Sequence, residues 1–163
     1  MIVKANNEQA TMLLGQKLAA YLSSGDILLL TGDLGAGKTT FTKGIAQGLG
    51  ITEPVTSPSF TLMNQYIGYG GQLLYHFDLY RISDPDEFLE LGIVDFLYGE
   101  GISVVEWCEK LPEFPSNYLQ VELKMSVDNL EGRTVGLIAQ GEHYQKLLSQ
   151  ITQEVSGNES TGN

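Results

Sequence analysis

A chain of 163 residues with a 42 % hydrophobic share has enough apolar surface for one packed core. Its 9 basic and 20 acidic residues give a formal net charge of −11, and only two of the basic residues are arginines, Arg81 and Arg133. That balance argues against a chain that grips nucleic acid or an anionic membrane by itself. The longest plain apolar run, residues 27–30, is far too short for a bilayer span, and the first residues carry no charged-then-apolar leader pattern. With Cys108 as the single cysteine and no internal disulfide open to it, a soluble cytoplasmic protein is expected.

Residues 7–23 read as an amphipathic helix with Ala10, Leu13, Leu14, Leu18, Tyr21 and Leu22 on one face, Asn6 or Asn7 as N-cap and Ser23-Ser24-Gly25 as its end. Residues 26–31 are a short apolar strand. Gly32-Asp33-Leu34-Gly35-Ala36-Gly37-Lys38-Thr39-Thr40 follows it, and then Phe41, Ile45 and Leu49 recur every four residues, as on one face of a helix that stops at Gly50. Gly44 and Gly48 are read as allowing that helix to pack closely on a sheet. Residues 51–59, with Pro54 and Pro58 around Thr56 and Ser57, have no apolar period and read as a loop.

Residues 60–67 and 73–80 read as strands joined by a glycine-rich hairpin turn, Gly68-Tyr69-Gly70-Gly71. Asp84-Pro85 opens a short helix that turns Phe88 and Leu91 inward and ends at Leu91-Gly92. Residues 101–106 are a buried strand. Residues 118–127, with Leu119, Val121, Leu123 and Met125 alternating, pair with 134–139 across a turn at 128–132. A last helix over 142–153 places Tyr144, Leu147, Leu148 and Ile151 on one side. The polar stretch 154–163 is expected to be a disordered tail after a single domain over 1–153.

The stretch 32–40 fits the P-loop pattern: a glycine, four residues, then Gly-Lys-Ser/Thr, after a strand and before a helix. Glycines let backbone N–H groups converge on phosphate oxygens. Lys38 brings a mobile positive charge to the β- and γ-phosphates, the Thr39 hydroxyl suits magnesium, and the next helix aims its positive end at the site. An ordinary glycine-rich turn is the alternative. The expected fold is α/β, a P-loop NTPase-like three-layer sandwich with a central mixed sheet flanked by helices.

Such a loop needs an acid for the cation and a group that orients water. Glu106 closes Ile102-Ser103-Val104-Val105, the position of a Walker-B-like acid, and Asp78 ends Tyr75-His76-Phe77. Either can instead be a solvated acid where a strand meets a loop. His76 shares a strand face with Asp78 and either orients it, relays a proton, or is a hydrogen-bonded core residue. Arg81 pairs with Asp78, reaches a phosphate, or forms a structural salt bridge. Thr56, Ser57 and Ser59 lie in a proline-stiffened loop that reads as a γ-phosphate switch or a rigid connector. Trp107 is core or an anchor for a partner.

Together, the stretches 32–40, Val55-Thr56-Ser57-Pro58-Ser59-Phe60, His76-Phe77-Asp78-Leu79-Tyr80-Arg81 and Glu106-Trp107 resemble the bacterial TsaE (YjeE) family over roughly residues 1–150. The resemblance implies a small ATPase with ATP/ADP and Mg2+ as cofactors, required for threonylcarbamoyladenosine formation on tRNA. It implies that Asp33, Leu34, Gly35, Ala36, Gly37, Lys38, Thr39 and Thr40 bind phosphates and that Thr39 and Glu106 hold magnesium. Asp78 would position the attacking water, with Lys38 and Glu106 completing the catalytic set. Asn7 and Arg133 would flank the base, although a helix cap and a hairpin charge explain them as well. Residues 55–60 would be the family's switch loop, here with Ser59 where a threonine is common.

The implied partners are TsaD-like and TsaB-like proteins, with TsaC supplying the activated group. A nucleotide-gated binding module with little hydrolysis uses the same motifs. A small P-loop kinase is disfavoured by the two arginines, and a GTPase by the lack of an Asn-Lys-x-Asp motif.

Overall fold

The computed structural model describes residues 1–159. In chain order the elements are β1 (Ile2–Ala5), α1 (Glu8–Ala19), β2 (Ile27–Thr31), α2 (Lys38–Gly48), β3 (Met63–Ile67), β4 (Leu73–Asp78), α3 (Pro85–Glu90), α4 (Val94–Leu97), β5 (Ile102–Glu106), β6 (Tyr118–Met125), β7 (Arg133–Gln140) and α5 (Glu142–Glu159). The strands form one sheet in the order β1-β7-β6-β2-β5-β4-β3. β6, β2, β5 and β4 run parallel, and the outer strands β1, β7 and β3 are antiparallel to their neighbours. This is the expected mixed sheet between two helical layers.

A central parallel strand is covered on both faces, so it needs apolar residues at every position. In β2, Leu28 and Leu30 join Phe41 and Ile45 of α2, Leu18 of α1 and Leu147 of α5 in one core. Ile27 and Leu29 join Phe77, Phe88 and Leu97 in the other. Because these strands run parallel, the carboxyl ends of β2, β5 and β4 lie at one edge, with Leu30 and Asp78 both in register with Glu106.

Several expectations are corrected. Gly44 and Gly48 face α1, not the sheet: a Cβ on Gly44 would lie 1.9 Å from the Met12 carbonyl oxygen, and one on Gly48 would lie 2.5 Å from the Ala19 Cβ. Because small residues make this helix contact, α1 buries Thr11, Gly15, Leu18 and Ala19, while Leu13 is 47 % exposed. Leu91 is 53 % exposed, because α3 stops at Glu90 and α4 follows as a separate turn. β3 starts at Met63, not at 60, because Leu62 takes a positive φ of 65° that a strand does not accommodate.

Met125, expected inward, is 50 % exposed at the end of β6. β1 was not anticipated: four residues carry too little pattern, and its pairing with β7 is decided by tertiary contact. α5 continues to Glu159, so the polar stretch after 153 begins as helix; the tail expectation for residues 160–163 lies outside the described residues. No helix among the described residues is long and apolar enough to cross a membrane.

Candidate functional site

The loop between β2 and α2 is shaped by its glycines. Gly32 has φ 149°, and a Cβ there would lie 2.5 Å from the Leu123 carbonyl oxygen. Gly37 is the N-cap of α2 with φ 104° and brings no capping side chain. The first amides of a helix have no partner within it, so α2 presents unclaimed N–H donors to this edge of the sheet. Lys38 is buried, and its Nζ donates to the Gly32 carbonyl and to the Asp33 carbonyl at 3.2 Å. The same ammonium lies 4.0 Å from the centre of the Trp107 ring. A loop closed on its own lysine, at an uncapped helix start, is chemically suited to an anion with several oxygens.

The two acids are brought beside this loop by adjacent parallel strands. Glu106 is 3 % exposed. The Thr39 hydroxyl donates to its Oε1 at 3.0 Å, with Oε2 at 3.3 Å. A hydroxyl and a carboxylate in contact are hard oxygen ligands of the kind magnesium takes when phosphates and water complete its shell. The described residues hold no cluster of three or more His, Cys, Asp or Glu suited to a metal, so this pair fits a cation shared with a ligand and not a protein-only cage.

Asp78 is buried as well. Its Oδ2 accepts from the Ser57 hydroxyl and its Oδ1 from the Tyr80 amide at 3.0 Å. Ser57 therefore ties the loop after α2 to β4.

His76 lies on the face of β4 that Asp78 also uses, yet its Nε2 meets Glu106 Oε2, not Asp78. The reason is register: His76 is opposite Val104, so the diagonal neighbour on β5 within reach is Glu106. Arg81 also leaves Asp78 alone and lies 4.0 Å over the Phe60 ring. Trp107 is half-buried against Tyr80, with ring centres 4.9 Å apart and a left-handed φ of 57° directly after Glu106.

Asn7 caps α1, accepting from the Ala10 amide at 2.8 Å. Arg133 donates to the Ala36 carbonyl at 2.9 Å and the Gly35 carbonyl at 3.1 Å, clamping the glycine loop from β7. With Gly35, Gly37 and Thr40 they line a cleft of about 590 Å³. Glu8, Thr11, Leu130 and Glu131 line it too, and sequence reasoning missed them because nothing local marks a residue that only the α1 start and the β6–β7 turn bring together. Leu34, at the loop tip, is 73 % exposed.

The family model for the threonylcarbamoyl adenosine biosynthesis protein TsaE matches residues 5–135. The chain belongs to the TsaE family. Among its relatives is the tRNA threonylcarbamoyladenosine biosynthesis protein TsaE of Bacillus subtilis, 41 % identical over 147 residues and covering 90 % of each chain. The TsaE of a Nostoc species is 46 % identical over 123 residues, 72 % of this chain and 74 % of that one. The TsaE of Haemophilus influenzae is 36 % identical over 153 residues, 88 % and 92 % of the two chains. The crystal structure of Bacillus subtilis YdiB superposes with a TM-score of 0.78 at 36 % identity, covering 94 % of this TsaE-family chain and 95 % of that chain.

Proposed function

We propose that this TsaE-family chain is an ATP-binding, slowly hydrolysing accessory ATPase for threonylcarbamoylation of adenosine in tRNA, acting on a TsaD–TsaB pair. The observation that carries the reading is the meeting of three features: the uncapped start of α2, the Lys38 ammonium, and the Thr39–Glu106 contact. The triphosphate would lie on the loop and first-turn amides of residues 33–40, with Lys38 on its outer phosphates. Magnesium, held by Thr39 and Glu106, would offset charge on the transferring phosphoryl group. The base would lie in the cleft between Asn7 and Arg133.

Slow turnover by the isolated chain follows from the same geometry. Both oxygens of Asp78 are engaged, so water activation waits for Ser57 to let go. Both arginines are committed elsewhere, Arg81 to Phe60 and Arg133 to loop carbonyls. A cation supplied by a partner is worth about 10³–10⁵ in phosphoryl-transfer rate. The exposed Leu34 at the loop tip and the exposed Phe60 in the segment after α2 suit surfaces that another protein covers. The charge of −11 leaves the tRNA to be held by the partners, and the buried Cys108 thiol fits the cytoplasm.

The test is steady-state ATP hydrolysis by the purified chain, alone and with TsaD–TsaB, with Lys38→Ala as control. Low turnover that rises with the pair and vanishes in the control is the expected result. ATP binding without stimulation would favour a nucleotide-gated binding module.

A further inference from the structure

His76 is fully buried on β4, and one of its ring nitrogens is bonded while the other is not. Nε2 faces Glu106 Oε2, and because a carboxylate oxygen accepts, Nε2 carries the hydrogen. Nδ1 has no hydrogen-bond partner among the described residues. A buried polar atom without a partner is costly, so an apolar side chain would serve better if packing were the only task. The bond to Glu106 is what the imidazole adds.

The Glu106 backbone is held on both sides, by Leu30 of β2 and Asp78 of β4, and the chain turns sharply at Trp107 immediately after it. The freedom left to Glu106 is in its own side-chain torsions. Thr39 lies at similar distances from both carboxylate oxygens, 3.0 and 3.3 Å, so its hydroxyl does not tell them apart. His76 touches Oε2 only. We propose that His76 is a positioning residue: its Nε2–H fixes the Glu106 carboxylate so that Oε1 is turned toward Thr39 and the cation that the two would share. This rests on the nucleotide and magnesium assignment above. Groups that orient a metal ligand in this way are worth about 10–100-fold in metal affinity.

The test is a magnesium titration of ATP binding, read from the fluorescence of Trp107, the sole tryptophan, whose ring lies under Lys38. His76→Leu removes the donor. His76→Gln keeps an N–H at similar reach, and His76→Asn keeps one that is too short. The expected result is a magnesium midpoint raised about 10–100-fold in His76→Leu and His76→Asn. His76→Gln should stay near the parent, with metal-free ATP affinity unchanged throughout. Thermal unfolding shows which variants are folded, and if His76→Leu is not, the Gln and Asn pair decides the matter alone. An unchanged midpoint in the folded variants, or an equal loss of metal-free binding, overturns the positioning role. A parent chain whose ATP binding ignores magnesium overturns the proposed function and this role with it.

Discussion

The parallel sheet buries one acid at its amino edge and two at its carboxyl edge, and the two edges use them differently. At the amino edge, Asp26 precedes β2 and is 3 % exposed. Its Oδ2 takes the Ser23 amide at 2.8 Å, its Oδ1 meets His143 at 2.7 Å, and its backbone carbonyl accepts from Ser103 at 2.9 Å. Tyr144 beside it accepts from the Ile27 amide at 2.7 Å. The Ser23 contact closes a turn on itself, and the others fasten that turn to β5 and to the start of α5. At the carboxyl edge, the Tyr80 amide on Asp78 is local, while Thr39 at the α2 start, His76 on a neighbouring strand and Ser57 in a loop reach Glu106 and Asp78 from distant parts of the chain. An acid that fastens a turn to a helix start is structural, whereas acids bridged to a glycine loop and an irregular segment stand where a ligand would compete for their partners.

Substitutions at the two edges should separate accordingly, and the largest effect is expected at the carboxyl edge. A bound divalent cation supplies several kcal/mol of transition-state stabilisation, so Glu106→Ala should lower turnover with the partner pair by about 10²–10³-fold. ATP affinity measured without magnesium should stay within a small factor. Equal turnover in the variant would remove Glu106 from the site and dissolve the contrast between the edges.

Lys38→Ala comes next. A hydrogen bond to a charged group contributes about 1.5–3 kcal/mol, so ATP binding should weaken about 10–100-fold by calorimetry. Normal affinity would mean that the loop does not hold phosphates.

At the amino edge, Asp26→Ala should act on stability alone. Leaving the Ser23 amide without its partner costs about 1–3 kcal/mol, visible in urea unfolding, with per-molecule turnover unchanged. A fall in turnover of the folded variant would show that the two edges are coupled. Gly44→Ala offers a control between them, because its Cβ would collide with the Met12 carbonyl. Overpacking of that kind costs about 1–3 kcal/mol, seen as a lower melting temperature.

The smallest effect is alkaline. Burial pushes the Cys108 thiol, behind the carboxyl edge, up to about 12, and it pushes the Tyr144 phenol, at the amino edge, up to about 12. In both, the folded chain favours the protonated form, so the contribution is complete below the unfolded values and is lost as pH rises from about 9 toward 12. Tyr144→Phe should flatten the upper part of that decline. A decline of the same slope would place the alkaline sensitivity elsewhere. Cys108 should resist a thiol reagent at pH 8 until the chain is unfolded, which absorbance of the released dye would report.

Much of this was legible locally. The pattern at residues 32–40, the apolar runs before the loop and before Glu106, and the alternation in β6 are set by chemistry within a few residues of one another. Phosphate-binding backbone needs glycine, and a doubly covered strand needs unbroken apolar residues. Those constraints leave their mark on consecutive residues, so a short window of sequence displays them.

What only the tertiary structure decided is which groups meet across the fold. Strand register gave His76 to Glu106 rather than Asp78, because one residue along a strand changes the face and two change the neighbour. The close approach of α1 and α2 turned Gly44 and Gly48 away from the sheet. The pairing of β1 with β7 gave order to a segment too short to declare itself. The cleft at Asn7 and Arg133 joins a helix start to a distant strand. Local sequence fixes the donor and the acceptor, but the partner is chosen by backbone geometry that the whole sheet sets at once.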